Sequence, residues 1–281
     1  MEKKYFSLDE DFEKIIKNAL KDKDILEMEQ ISTGWTNIVY EIKTNDGNYF
    51  LRFPRDDFWT KTIVKDYEFA KYISGKTDFQ TAQLELLYDQ GRPFSIHKKV
   101  EGVALAEKMD ELSEKEVASV SSEIAKFMYQ MHQIDFDSSK VFDKTNMDTK
   151  LTGFLDELLN VHVDKKDMDF WNYFEFNQKD HNCLVHGDLN SSNIILDENN
   201  HIAAVIDFGF GGFGNPYFDI ARIIGRCPEK YRNEIIKSYE DISKETLNTK
   251  VLDEEIDIWS KIDSAYINYM TKIGIYKPNA G

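Results

Sequence analysis

The stretch LVHGDLNSSNIILDENNHIAAVIDFG, residues 184–209, decides how this chain is read. It opens on a short apolar strand, crosses a polar loop and returns to a strand. It then turns at ENNH and runs through IAAVI into Asp207-Phe208-Gly209. The loop offers His186, Asp188 and Asn193, with four residues between the last two. A hairpin folds the end of its second strand back beside the start of its first, so this spacing sets Asp207 next to the loop. Oxygens from Asn193 and Asp207 then converge near a third group, the Asp188 carboxylate. Mg²⁺ prefers hard oxygen ligands and usually takes one or two carboxylates plus substrate phosphates. A separate Asp, placed to accept or orient the proton of an attacking hydroxyl, completes what phosphoryl transfer requires. Asp-Phe-Gly alone is a weak signal, and Asn193 alone reads as a turn cap. The set at these intervals is specific.

Working outward, the upstream segment ISTGWTNIVY (31–40) places the loop Ser32-Thr33-Gly34-Trp35-Thr36-Asn37 before a strand. With one glycine it reads by itself as an ordinary hairpin turn. Its position also suits a flap that covers nucleotide phosphates with backbone N–H groups. The segments IVYEIKT (38–44) and YFLRFP (49–54) alternate around an NDG turn, which predicts a hairpin. A helix is expected over 7–20, capped by Ser7 with Glu10 as its reciprocal partner. Another is expected over 60–73, then strands near 84–89 and 94–100. Beyond Gly102 the period changes. Residues 113–133 carry Val117, Val120, Ile124, Phe127, Met128 and Met131 on one helical face, a further helix is expected over 148–163, and 218–276 is mostly helical by pattern. The expected fold class is α+β. A small strand-rich lobe, 1–97, precedes a larger helical lobe, 98–281, the two joining near 97–102.

The spacing HGDxxxxN followed by IDFG resembles the catalytic loop and metal motif of protein kinases. It is closer to the aminoglycoside phosphotransferase family, and the layout of helix 113–133, with LSEKE before it and QMHQIDF after, is similar to the 2″-type enzymes. The resemblance runs from about Ile31 to Ile224. It implies the two-lobed protein-kinase-like fold, with Asp188 as catalytic base, Asn193 and Asp207 as Mg²⁺ ligands, and His186 as a brace of the loop. It also implies that Ser32, Thr33 and Gly34 cover the phosphates and that Arg52, where most relatives carry Lys, grips them. Glu68 is the expected ion-pair partner of Arg52. Backbone groups near Lys98 and Val100 would hold the base of ATP or GTP. Pro216 and Asp219 match a Pro and an Asp that open a helix, with Asp219 a structural brace. The implied activity is transfer of the γ-phosphoryl group to a hydroxyl of an aminoglycoside, an antibiotic-resistance function. A choline-like amine, a macrolide or another metabolite is the alternative acceptor. A nucleotide-binding pseudokinase is a further alternative, against which Asp188, Asn193 and Asp207 stand intact. The span from Asp207 to Pro216 is short and no Ala-Pro-Glu follows, which argues against a protein substrate.

Composition bounds the rest. The chain has 281 residues, 41% of them apolar and 31% charged, which is a folded rather than a disordered composition. Net charge is −16, from 51 acidic and 35 basic residues, a balance that disfavours nucleic acid and suits a cationic ligand. The acidic residues Asp253, Glu254, Glu255, Asp257 and Asp263, with Trp259, Tyr266 and Tyr269, are expected either to wall the acceptor site or to form a solvated helix face. No apolar run approaches the roughly 18 residues a spanning helix needs, and the N-terminus carries charges throughout, so no membrane partner and no secretory signal are expected. Cys183 and Cys227 are expected to be reduced structural thiols of a monomeric cytoplasmic enzyme.

Overall fold

A computed structural model describes residues 5–8, 10–31, 36–135, 147–148, 150–171 and 183–276. Strands β1 (Ile25–Ile31), β2 (Asn37–Thr44) and β3 (Gly47–Pro54) form an antiparallel meander. Helix α2 (Asp57–Ile73) follows, then a short β4 (Gln80–Thr81) and a second hairpin, β5 (Leu84–Asp89) and β6 (Arg92–Lys98). Pairing of β3 with β6 closes a five-stranded sheet in the order β1-β2-β3-β6-β5. Helix α1 (Phe12–Ala19) lays Phe12, Ile15 and Ile16 against Ile38, Ile42, Leu51, Phe53, Phe94 and Ile96 of this sheet, a small core of its own.

The chain leaves the sheet at Lys98 and enters a second one at β7 (Val103–Ala104). Gly102 stands between them at φ +134°, where a Cβ would lie 2.2 Å from the Leu196 carbonyl oxygen, so only glycine fits. The short α3 (Leu105–Lys108) leads into α4 (Glu114–His132), which starts on a full capping box between Ser113 and Glu116. After α5 (Leu151–His162) come β8 (Cys183–Val185), β9 (Ile194–Leu196), β10 (Ile202–Val205) and β11 (Gly212–Gly214). Helices α6 (Pro216–Ile224), α7 (Glu229–Ser243) and α8 (Thr249–Lys272) complete the chain, and α4, α5, α6, α7 and α8 share one large apolar core. A strand-rich N-terminal part and a helical C-terminal part make the kinase-like α+β architecture.

One local expectation is corrected, and one strand was not foreseen. Helix α1 begins at Phe12, with Asp11 rather than Ser7 accepting the first free N–H, from Lys14 at 3.1 Å. Glu10 is drawn away to Arg92, at 2.5 and 3.3 Å, and an ion pair over the face of Phe6 outweighs a capping box. Strand β1, Ile-Leu-Glu-Met-Glu-Gln-Ile, carries no clean alternation because it is an edge strand with few buried positions.

Candidate active site

The loop after β8 is fixed from below. Asp219, wholly buried at the start of α6, accepts the backbone N–H groups of His186 (2.8 Å) and Gly187 (2.9 Å) and meets His132 of α4 at 3.2 Å. Burial alone would raise this carboxyl's pKa, but the hydrogen bond and charge of His132 hold it below the ordinary range. His186 Nε2 lies 3.0 Å from the Ile206 carbonyl, which can only accept, so that nitrogen carries the proton. Nδ1 is then the acceptor for the Asp188 N–H at 3.3 Å. This imidazole ties the loop to the end of β10. Gly187 turns the chain at φ +77°, with a hypothetical Cβ only 2.4 Å from the Phe210 carbonyl oxygen.

The hairpin register does what the spacing requires. Val205 pairs with Ile194, and the Ile206 N–H donates to the Asn193 carbonyl at 3.0 Å, so Asp207 emerges beside the loop. Asn193 gives its amide N–H to the Asp188 carbonyl at 2.9 Å, which turns its side-chain oxygen toward the cleft. That oxygen accepts nothing from the described residues. Asp207 sits at φ +66°, a strained backbone for a non-glycine residue. Its enclosure by the cleft walls, followed by the Asp66 carboxylate, pushes its pKa up to about 6 against the pull of Arg52, with Asp188 adding to the rise. Three carboxylates therefore gather with too little positive charge between them. No cluster of three metal-binding side chains forms among the described residues. A hard cation held by the Asn193 and Asp207 oxygens and completed by phosphates needs none, and these donors fit Mg²⁺.

Arg52 of β3 donates from Nε to Ser95 at 3.1 Å, pairs through Nη2 with Asp66 of α2, and stands 3.9 Å from Asp207. Asp66 also accepts the Phe208 N–H at 2.8 Å, linking α2 and β3 to the Asp-Phe-Gly turn. The partner of Arg52 is thus Asp66, correcting the expectation of Glu68. Two residues further along a helix the side chain points about 200° round the axis, and Glu68 is buried elsewhere on α2.

Two cavities meet here and share Val39, Arg52, Ser192 and Asp207 as a common wall. One, of about 710 Å³, runs to the end of β6. It is bounded by the apolar side chains of Ile31, Val39, Phe50, Leu84, Val100 and Ile195. His97 and Lys99 reach it, and burial followed by the charge of Arg52 lowers the His97 pKa to about 4, leaving it neutral. Val100, one of the two positions whose backbone was expected to meet the base, borders this cavity, while the Lys98 side chain bonds the Asp46 carbonyl at 2.7 Å. Ser32, Thr33 and Gly34 lie outside the described residues.

The other cavity, of about 370 Å³, opens over Asp188 and Asn193. Its outer wall is Trp59, Leu158, Phe210, Trp259, Ile262 and Tyr266, with Asp263, Arg222 and Arg226 at one end. Trp259 thus reaches the cavity as expected, but Asp253, Glu254, Glu255 and Asp257 do not. On α8 the face 259, 262, 263, 266 turns inward, whereas Asp253 and Asp257 are exposed and Asp257 pairs with Lys261 at 2.6 Å. Glu254 lies 3.7 Å from Lys250, and Glu255 is buried, only 2% exposed. Burial followed by the Glu254 charge raises its pKa to about 7, the reverse of what an ammonium-binding carboxylate requires. The solvated-face alternative holds for the exposed members of the run. Sequence reasoning missed Asp66 and Arg222. The latter carried a signal, since it lies three residues after Asp219 and so on the same helix face.

The geometry is that of a larger, mostly apolar cleft abutting a second, smaller cavity across a cluster of carboxylates. The model of the phosphotransferase enzyme family matches residues 27–247, and the chain belongs to that family. Its chemistry is phosphoryl transfer to a hydroxyl acceptor. Among solved structures, the GDP and kanamycin complex of the APH(2″)-IIIa kinase superposes with a TM-score of 0.70 at 17% identity, over 93% of this chain and 92% of that one. The streptomycin–ATP complex of APH(2″)-IIa gives 0.65 at 22% identity, over 92% and 91%. The macrolide 2′-phosphotransferase MphH from Brachybacterium faecium gives 0.61 at 14%, over 94% and 93%. At these identities the likeness establishes the shared fold.

Proposed function

We propose that this chain is a Mg²⁺-dependent small-molecule kinase that moves the γ-phosphoryl of ATP or GTP to a hydroxyl of an antibiotic-type acceptor, with aminoglycosides as the first acceptor class. The observation that carries this reading is the meeting of the two cavities at Arg52 and Asp207, with Asp188 on the acceptor side. The base lies among the apolar faces near Val100, and Arg52, oriented by Ser95 and Asp66, meets the phosphates at the junction. Asn193 and Asp207 would hold Mg²⁺, which would neutralise charge on the phosphates. Asp188 receives the acceptor's hydroxyl and aligns it in line with the γ-phosphorus, taking up its proton as the new P–O bond forms and the bond from the γ-phosphorus to the β–γ bridging oxygen breaks, which releases the nucleoside diphosphate. The outer wall of Trp59, Phe210, Trp259 and Tyr266 gives the acceptor side an aromatic lining.

Neighbouring structures described as kanamycin, gentamicin and streptomycin complexes support the aminoglycoside reading. A macrolide-type acceptor is the second reading, favoured by the apolar wall Trp59, Leu158, Phe210 and Trp259. A coupled nucleotide-turnover assay across aminoglycosides, macrolides and choline-like amines separates them. Aminoglycoside-dependent turnover is expected. Turnover with macrolides alone would select the second reading, and no acceptor-dependent turnover would remove both.

A further inference from the structure

One turn beyond the Asp219 brace on α6, the buried guanidinium of Arg222 joins three elements. Its Nε and Nη2 both donate to Oδ1 of Asp188, at 2.9 and 2.7 Å. Its Nη1 donates to both oxygens of Asp263 on α8, each at 2.8 Å, and its face lies 4.5 Å from the Trp259 ring centroid. Arg226, a turn further on, pairs with Asp263 at 2.5 Å. The second oxygen of Asp188, Oδ2, accepts no hydrogen bond from the described residues, although Asp188 lines the acceptor cavity. One carboxylate oxygen is therefore locked and the other is presented.

We propose that Arg222 is a positioning residue for the transfer reaction, fixing Asp188 so that Oδ2 faces the incoming hydroxyl, with Asp263 and Trp259 holding Arg222 in turn. The inference rests on the kinase reading above. A cation on Oδ1 makes Asp188 a weaker proton acceptor, which is costly only if proton removal leads the reaction. Phosphoryl transfer passes through a loose transition state in which alignment matters more than early deprotonation. A misplacement of about 1 Å can cost on the order of 10²-fold, so a rigid two-carboxylate fork has a clear use. Lysine keeps the charge but not the fork.

The test measures Arg222→Ala, Arg222→Lys and Asp263→Asn in the full chain. For Arg222→Ala, kcat should fall by on the order of 10–10²-fold, while nucleotide KM stays within about twofold, because Arg222 does not border the nucleotide cavity. Arg222→Lys should recover only a small part of the loss. Millimolar guanidinium should restore Arg222→Ala and leave Asp188→Ala unrescued, a readout that mere packing would not give. Asp263→Asn loosens the fork from its far end and covers the case in which Arg222→Ala does not fold. Slow nucleotide hydrolysis by water reads the same carboxylate without any acceptor, so a failed acceptor assignment does not touch this test. Wild-type kcat in Arg222→Lys, more than half of it in Arg222→Ala, or a loss that falls equally on nucleotide affinity would overturn the proposal. A wild-type chain that turns over no nucleotide at all would instead remove the kinase reading on which it depends.

Discussion

Asp188 and Asp207 are both aspartates in one cleft, yet their surroundings predict different defects. Asp188→Ala should lower kcat by about 10²–10⁴-fold with nucleotide affinity nearly unchanged, since Asp188 faces the acceptor cavity. Asp207→Asn removes a hard anionic donor from the junction of both cavities and should raise the Mg²⁺ concentration needed for half-maximal rate. Steady-state kinetics with Mg²⁺ titration distinguishes the two, and an unchanged metal requirement in Asp207→Asn would count against its role. The Asp188, Asn193 and Asp207 set was legible because a loop and a hairpin fix it locally. The partner of Arg52 was not, because Asp66 and Glu68 differ only in helix phase, which short sequence patterns do not resolve. Glu255 gives a separate, pH-dependent expectation. Its pKa rises from 4.5 to about 7 on burial, so the folded chain keeps a proton that the unfolded chain releases throughout that window. Stability from this group is full below pH 4.5, falls as pH rises, and levels off above pH 7. Glu255→Gln should remove a penalty on the order of 2–3 kcal/mol at pH 8 and much less at pH 5. Thermal melts at the two pH values check the sign, and a pH-independent difference would contradict it.

Elements carry the site as much as residues do. Helix α6 spends its first turn on the loop, with Asp219 under His186 and Gly187, and its second on Asp188 through Arg222. Helix α8 turns Trp259, Ile262, Asp263 and Tyr266 to the cavity and its acidic exposed face to solvent. Periodicity can say which residues share a helix face. It cannot say which face meets a cavity, because that depends on the neighbouring helix, and this is why the run 253–257 was open to two readings. Hairpins were legible because their strands are close in sequence, whereas the cap of α1 was misplaced because Glu10 is held by Arg92, far away in sequence, and β1 escaped because an edge strand need not alternate. The tight turn before Asp188 supplies a prediction at this scale. Gly187→Ala forces a Cβ into the Phe210 carbonyl oxygen at a positive φ, so activity should fall far more than in Ser113→Ala. That second change removes a surface helix cap and should cost about 1 kcal/mol of stability with kcat preserved. Melting curves and kcat for the pair would separate them, and equal effects on activity would mean that the loop tolerates displacement.

At the scale of the whole molecule, the smaller cavity draws on α2, α5, α6 and α8, elements far apart in sequence, so its lining could not be read from any one motif. The sequence set the net charge at −16 but left its placement open between an acceptor wall and a solvated face. Within the smaller cavity Asp188 and Asp263 are both engaged by Arg222. Attraction of a polycationic acceptor must then come chiefly from the summed field rather than from a dedicated acidic wall. Such a field is screened by salt, with a Debye length of about 10 Å at 0.1 M and about 3 Å at 1 M. For an aminoglycoside, KM should rise across that range at saturating nucleotide. Neutralising Asp253, Glu254 or Asp257 singly should change it less than about twofold, since an exposed pair contributes only about 0–1 kcal/mol. A large single-site effect would return those residues to direct contact with the acceptor. A KM indifferent to salt would mean that the apolar wall, not charge, selects the acceptor, and would move the assignment to the macrolide-type reading.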